Sequence, residues 1–138
     1  MKRISFEWQF HPIGEVSLDD VKLRFPATTD RPGIYRFALI GADSSSYYIG
    51  ETIQLHRRFG QYCAPGPTQW TNIRLNHEMR QVLASGGHVT IDIASEAWVI
   101  TPTGDRTPID LSSMDDRRRL EVAVLHTERQ AGHRLLNR

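Results

Sequence analysis

The fold is decided by two neighbouring stretches, PGIYRFALI at residues 32–40 and YYIG at residues 47–50, with the polar segment GADSSS at 41–46 between them. Both stretches are rich in the β-branched and aromatic residues that favour strands, while Gly, Asp and Ser favour a turn. So short a connection joins antiparallel neighbours, because a parallel crossover takes about a dozen residues or more. The sequence therefore predicts an antiparallel pair of strands over 33–40 and 47–50.

Composition limits the class of protein. The chain has 138 residues, a formal net charge of +1 and a single cysteine, Cys63. This length suits one domain, and a lone cysteine excludes an internal disulfide, as is usual in a reducing compartment. The apolar runs are far shorter than the roughly 20 residues that cross a bilayer, and Glu7 interrupts what would be the apolar region of a signal peptide. We therefore expect a cytoplasmic protein with no membrane partner.

Periodic patterns predict the remaining elements. Ile4, Phe6, Trp8 and Phe10 alternate with polar residues and predict an N-terminal strand. The other predicted elements are a helical turn over 17–23, helices over 52–62, 71–85 and 114–131, and a strand over 89–93 that continues through 98–100. Because strands and helices are mixed rather than alternating as βα units, we expect an α/β fold of the α+β type. It has a small antiparallel three-stranded core sheet flanked by helices, with the N-terminal strand added to it.

The two strand stretches also carry a family resemblance. Gly33-Ile34-Tyr35 and Tyr48-Ile49-Gly50 match, letter for letter, the signature strands that name the GIY-YIG nuclease family, and the chain resembles that family over 32–137. A single tripeptide has little weight, whereas the pair at this spacing is fairly specific. The resemblance implies a nuclease-like domain over 32–138, with residues 1–31 as an N-terminal extension of a strand plus a short helix or loop packed on it.

Further positions follow the order of the family. Arg58 lies ten residues past Tyr48, where the family has an arginine, and Tyr62 follows one helical turn later on the same face. Glu121 and Asn137 match a later glutamate and an asparagine near the end of the domain. By resemblance, the catalytic residues are Tyr35, Tyr48, Arg58, Tyr62 and Glu121, supported by Gly33, Gly50 and Asn137.

These residue types suit phosphodiester hydrolysis, which needs an oriented water, a proton acceptor and positive charge at the transition state. Arg58 is permanently charged, while a tyrosine, with an ordinary pKa near ~10, becomes a base only where a cation lowers that pKa. The resemblance implies a DNA endonuclease with one Mg²⁺ or Mn²⁺ ion, held by Glu121 with water and phosphate oxygens. Glu128 is the rival metal ligand, and Glu121 could instead pair with Arg117 on a helix surface.

Several basic residues near the motif are candidate DNA contacts. They are His56, Arg57, Arg74, His77 and Arg80. The alternative for each is a solvated helix face, and Trp70 could either stack on an unpaired base or lie in the core. Members of the family act in DNA repair, restriction, intron homing and recombination. We expect duplex, branched or single-stranded DNA as the partner, with specificity supplied by the chain's own loops or by a targeting partner protein.

One residue departs from the family pattern. Glu51 follows the second signature glycine, where many members carry lysine, serine or another residue compatible with phosphate. An anion here lies close to the expected position of an anionic substrate. Its side chain could point to solvent, pair with Arg57 or bind a second metal ion. The competing function is therefore a catalytically inactive module of the same fold that binds nucleic acid or another protein.

Overall fold

The computed structural model describes residues 4–138 and has an α+β architecture. Its strands are β1 (Ser5–Trp8), β2 (His11–Asp19), β3 (Lys22–Arg24), β4 (Gly33–Ile40), β5 (Ser45–Thr52), β6 (His88–Ala94), β7 (Ala97–Ile100) and β8 (Arg106–Pro108). Its helices are α1 (Leu55–Cys63), α2 (Trp70–Ala84) and α3 (Met114–Gln130). The strands form two antiparallel sheets, β1-β7-β8 and β3-β2-β6-β4-β5, the larger of which curls into a half-barrel. Within 4–138, no helix combines the length and the apolar character needed to cross a bilayer.

The prediction of a three-stranded core sheet is wrong, because the sheet that contains β4 has five strands. β5 pairs with β4 as expected, β6 pairs with the other side of β4, β2 pairs with the far side of β6, and β3 pairs with β2. The predicted N-terminal strand is not added to this sheet, because β1 pairs with β7 in the smaller one. Val16 and Leu23 from the two added strands are buried in the same apolar cluster as Val89 and Ile91 of β6. Burying these side chains extends the sheet beyond the motif strands.

Residues 17–23 form a β-hairpin, not the predicted helical turn. β2 runs through Asp19 and β3 begins at Lys22, with Leu18 opposite Leu23. Asp20 has a φ of 55°, a left-handed conformation that Asp adopts more readily than most residues, and it reverses the chain. The polar cluster that resembles a helix cap therefore belongs to a tight turn.

The apolar stretch over 89–100 is two strands rather than one. β6 belongs to the larger sheet and β7 to the smaller one, and the chain changes sheets at Ser95 and Glu96. Ala94 and Ala97, on either side of the change, are almost fully buried. Their small side chains allow the sheets to approach closely at this corner. The segment over 101–113 contains β8, which completes the smaller sheet.

The three predicted helices are present and cover both faces of the larger sheet. α1 and α2 pack on the face that carries Tyr35 and Phe37, and α3 packs on the opposite face through Leu120 and Val124. Successive residues of β4 point to opposite faces, so this one strand contacts both helix layers. Ser113 begins α3 by accepting a hydrogen bond from the backbone N–H of Asp116.

After α3 the chain returns along β5. The backbone N–H of Tyr47 donates to the carbonyl of Arg134 at 2.8 Å, and that of Leu136 donates to the carbonyl of Tyr47 at 2.7 Å. Tyr47 and Leu135 form a parallel bridge. The returning segment therefore covers the edge of β5 and brings Asn137 beside the second signature strand.

Candidate active site

Tyr35 and Gly50 lie directly opposite each other in the β4–β5 pair. Tyr35 is only 1% exposed, and its ring lies over the Cα of Gly50. A Cβ added to Gly50 would lie 2.5 Å from Tyr35 Cε2 and closer still to Cζ and Oη. Gly50 is therefore required by the close approach of the tyrosine ring, and the two signature tripeptides are one packing unit.

Two buried hydroxyl groups meet beneath the candidate site. Tyr35 Oη and Tyr62 Oη are 2.7 Å apart, with one hydroxyl donating to the other, and Tyr62 is fully buried. Burial raises the pKa of both phenols well above the ordinary value, because the charged phenolate would be poorly solvated there. Both groups are therefore neutral near pH 7 and act as hydrogen-bonding groups.

Arg58 extends from α1 towards these two hydroxyls. Burial lowers the pKa of its partly buried guanidinium, but the neighbouring Tyr35 and Tyr62 raise that pKa above its ordinary value. Among residues 4–138, it forms no ion pair with a carboxylate. The neutral phenols beside Arg58 do not cancel its charge, so that charge remains available to an anion.

Tyr48 and Glu121 line a cleft of about 300 Å³. The other lining residues are Trp70, Thr71, Arg74, Asn137 and Arg138. Burial and the charge of Glu121 raise the pKa of the Tyr48 phenol, while the Tyr62 hydroxyl and the charges of Arg58 and Arg74 oppose that rise. Tyr48 is only partly buried, so it is the tyrosine of the cluster that a water in the cleft can reach.

The Glu121 carboxylate is held in an unfavourable environment. Desolvation and the nearby charge of Glu51 raise its pKa, whereas Arg118 and Arg58 lower it. Within the described chain, Glu121 makes no ion pair, and no group of three or more His, Cys, Asp or Glu side chains could hold a metal ion. A single free carboxylate in a polar cleft fits a hard cation that keeps most of its water ligands.

Glu51 is turned away from the cleft by a buried arginine. Glu51 Oε2 accepts a hydrogen bond of 2.6 Å from Nε of Arg117. Nη1 of Arg117 donates to the carbonyls of Leu111 and Ser112. Arg117 is only 5% exposed. The charge that departs from the family pattern is therefore paired with α3, a partner that the sequence pattern did not predict.

The structure does not bring Glu128 into the cleft. Its Oε1 accepts a hydrogen bond of 2.6 Å from Nη1 of Arg36, and its Oε2 pairs with Nδ1 of His133. Arg36 also donates to Asp92. Glu128 therefore joins α3 to the sheet and to the C-terminal segment, and both of its oxygens are occupied.

The supporting residues lie beside the signature strands. The Asn137 side chain accepts a hydrogen bond from the N–H of Ile49 at 3.0 Å and donates to the carbonyl of Ile49 at 2.7 Å. Gly33 is buried, and a Cβ there would lie 3.1 Å from Leu55 Cδ1 and 3.0 Å from the Ala94 carbonyl. Asn137 thus fixes the backbone next to Tyr48, and Gly33 allows close packing of α1.

The five candidate DNA contacts do not share one surface. Arg74 lines the cleft, whereas Arg57 lines a separate depression with Arg58. His56 lies at a different surface, beside the segment 25–28. His77 is exposed farther along α2, while the Nε of Arg80 is buried with no hydrogen-bond partner within residues 4–138. Arg80 lies about 120° round the helix from Arg74, so these two arginines face in different directions.

Comparisons with models of protein families, with curated proteins and with solved structures found no match for the chain.

Proposed function

We propose that the chain is a metal-dependent endonuclease of the GIY-YIG type, which hydrolyses DNA phosphodiester bonds. The observation that carries this proposal is that Tyr48 and Glu121, from β5 and α3, line one cleft, and that the charge of Arg58, from α1, lies close enough to lower the pKa of both groups. Structural packing alone does not require a free carboxylate, a free guanidinium and an accessible phenol at one place. Hydrolysis of a phosphodiester can use each of them, as a metal ligand, as positive charge at the transition state and as a proton acceptor.

The three tyrosines have different roles in this proposal. Tyr48 reaches the cleft and accepts the proton of the attacking water. Tyr35 and Tyr62 are fully buried and act as positioning residues for Arg58. Burial and the charge of Glu121 raise the pKa of Tyr48 even though the charges of Arg58 and Arg74 lower it, so its phenol is neutral at pH 7. A further positive charge, such as a cation held by Glu121, would be needed to lower that pKa enough for Tyr48 to accept a proton.

Glu121 is the residue that would hold one Mg²⁺ or Mn²⁺ ion. Such an ion supplies Lewis-acid stabilisation of the developing charge on phosphate oxygens. Arg58 supplies charge at a fixed position and is worth about 10²- to 10³-fold in rate, as for other preorganised donors. Asn137 keeps the Tyr48 strand in place through its two hydrogen bonds to Ile49. In this proposal the protein acts in the cytoplasm with DNA as its partner, directed either by its own loops or by a targeting partner protein.

Nicking of supercoiled plasmid with Mg²⁺ or Mn²⁺ tests the proposal. We expect the parent protein to nick, and Glu121→Gln and Arg58→Ala to lose nearly all of that activity. Glu96→Gln and Arg24→Ala are matched controls, because both residues are exposed and lie outside the cleft. They should nick at the parental rate. Parental nicking by Glu121→Gln at saturating metal would contradict the assignment of Glu121.

The alternative function is a catalytically inactive module that binds nucleic acid. It is favoured by the burial that raises the pKa of the tyrosine cluster, because a neutral phenol is a poor proton acceptor. This alternative predicts DNA binding without cleavage of supercoiled, linear or single-stranded DNA in either metal. The same nicking assay therefore separates the two functions.

A further inference from the structure

Trp70 is an exposed aromatic ring at the rim of the candidate active site. It is the first residue of α2, it is 74% exposed, and it lines the cleft with Tyr48 and Glu121. Tryptophan is mostly buried in folded proteins, so a ring this exposed beside a polar cleft is unusual. The buried face of α2 is formed by Asn72, Leu75, Asn76 and Met79. Trp70 therefore contributes little to the core and is available to a ligand.

The helix that carries Trp70 is firmly attached to its neighbours. The Gln69 Oε1 accepts hydrogen bonds from the N–H of Gly66 at 2.9 Å and from Nδ2 of Asn72 at 3.1 Å. Nδ2 of the buried Asn76 donates to the carbonyls of Tyr62 and Cys63 at the end of α1. These bonds fix the start of α2 relative to the helix that holds Arg58. Trp70 is thus a preorganised surface rather than a mobile side chain on a free loop.

The charges next to Trp70 indicate what its ring would contact. Arg74 lies four residues later on the same face of α2 and lines the same cleft, where it can contact a phosphate. A nucleotide with its phosphate between Arg74 and the Glu121 side of the cleft has its base within reach of the Trp70 ring. In a duplex the faces of internal bases are covered by neighbouring bases. A base can therefore stack on Trp70 only if it is unpaired or turned out of the helix.

We propose that Trp70 is a stacking platform for an unpaired nucleobase next to the phosphate that the cleft binds. The inference rests on the proposed function and narrows its substrate class to DNA that is single-stranded or distorted at the cleavage point, such as a flap, a junction or an overhang. Stacking on one aromatic residue is sequence-tolerant, because every base has a π face. Trp70 therefore selects DNA structure rather than DNA sequence.

Binding measured without divalent metal tests this inference separately from cleavage. The probes are a short oligothymidylate and a fully paired duplex of two separate strands, each titrated against the parent, Trp70→Ala and Trp70→Phe. Trp70→Ala should weaken binding of the oligothymidylate by about 5- to 150-fold, the range expected for loss of one stacked base, and leave binding of the duplex unchanged. Trp70→Phe should retain most of the affinity, because it keeps an aromatic face. Val21→Ala is the control, since Val21 is 69% exposed and lies in the β2–β3 turn.

Tryptophan fluorescence gives a second measurement on the same complexes. The chain has three tryptophans, and Trp8 and Trp98 lie in the smaller sheet away from the cleft. Oligothymidylate should quench the fluorescence of the parent, and Trp70→Phe should lose most of that quenching while still binding. The slope of affinity against salt should be the same in parent and Trp70→Ala, because stacking releases no phosphate counterion.

Each outcome has a defined meaning. Three results for the variants would each overturn the inference: parental affinity of Trp70→Ala for oligothymidylate, equal weakening of duplex binding, or undiminished quenching in Trp70→Phe. A parent that binds neither probe would also overturn it. Cleavage with unchanged structure preference in Trp70→Ala overturns the inference and leaves the proposed function intact. Quenching that depends on Trp70 in a protein that never cuts DNA supports the inference and rejects the nuclease.

Discussion

Replacing Gly50 with alanine tests the packing of the two signature strands. Gly50 faces the ring of Tyr35, and a new Cβ would overlap three atoms of that ring. The ring has no room to move, because its centroid lies 5.0 Å from that of Phe37 and 5.5 Å from that of Phe59. Either the ring tilts away from Tyr62 or β4 and β5 separate locally.

The expected cost can be worked out from these contacts. Overpacking a filled core costs about 1–3 kcal/mol, and loss of the hydrogen bond between the two tyrosine hydroxyls costs about 0.5–1.5 kcal/mol. Gly50→Ala should therefore lower the free energy of unfolding by about 1.5–4.5 kcal/mol. The melting temperature of a chain of this size falls by about 3–5 °C per kcal/mol. Nicking activity should fall as well, since Tyr35 helps to position Arg58.

Urea unfolding followed by circular dichroism measures this change. Gly60→Ala is the matched control, because Gly60 lies within α1 with no atom near its added Cβ, and alanine there should stabilise the chain by about 0.5–1 kcal/mol. Tyr35→Leu in the Gly50→Ala background should recover part of the loss. Tyr35→Phe should not, since the overlapping ring carbons remain. If Gly50→Ala is as stable as the parent, the close approach of the ring does not determine the residue at position 50.

Three further predictions concern stability. Glu128→Gln should cost about 1.5–3 kcal/mol in urea unfolding, as for hydrogen bonds to charged groups, whereas Asp19→Asn, in an exposed ion pair, should cost less than about 1 kcal/mol. Because burial raises the pKa of Tyr62, the Tyr62 phenol loses its proton at a lower pH in the unfolded chain than in the folded one. The free energy of unfolding should therefore fall once the pH exceeds about 10, and Tyr62→Phe should lessen that fall. Desolvation also raises the pKa of Glu121, so the charged carboxylate opposes folding. Glu121→Gln should therefore raise the melting temperature at neutral pH. At acidic pH, where Glu121 is protonated in the parent as well, the two proteins should melt at similar temperatures.

Local patterns predicted the elements that local residues determine. The strand pair β4–β5 and the three helices follow from periodicity and from turn residues close in sequence. The number of strands in the core sheet did not follow, because the pairing of β2 with β6 joins distant segments whose sequences carry no mark of it. The β2–β3 turn depends on a left-handed Asp20, and the same polar residues also favour a helix start. The change of sheets at Ser95 and Glu96 is likewise decided by packing.

The candidate site likewise has a part that the sequence predicts and a part that it does not. Tyr35, Tyr48, Arg58 and Tyr62 lie on three consecutive elements, β4, β5 and α1, so their spacing in the sequence reflects their arrangement in space. The pairing of Glu51 with Arg117 could not be predicted, because the two residues are 66 positions apart and each also has a reasonable surface role. Exposure of Trp70 could not be predicted either, since a helix start is compatible with a buried or an exposed ring.

The ion pair of Glu51 with Arg117 also changes the electrostatics of the site. From the sequence alone, Glu51 would add a second negative charge to the site of Glu121, and the net charge of +1 is too small to offset two carboxylates there. In the fold the charge of Glu51 is balanced by a buried guanidinium at 2.6 Å. Among the described residues 4–138, neither the Glu121 carboxylate nor the guanidinium groups of Arg74, in the same cleft, and of nearby Arg58 form an ion pair. A phosphate group responds to this local field rather than to the net charge of the chain, so a nearly neutral protein can still present a positive site to DNA.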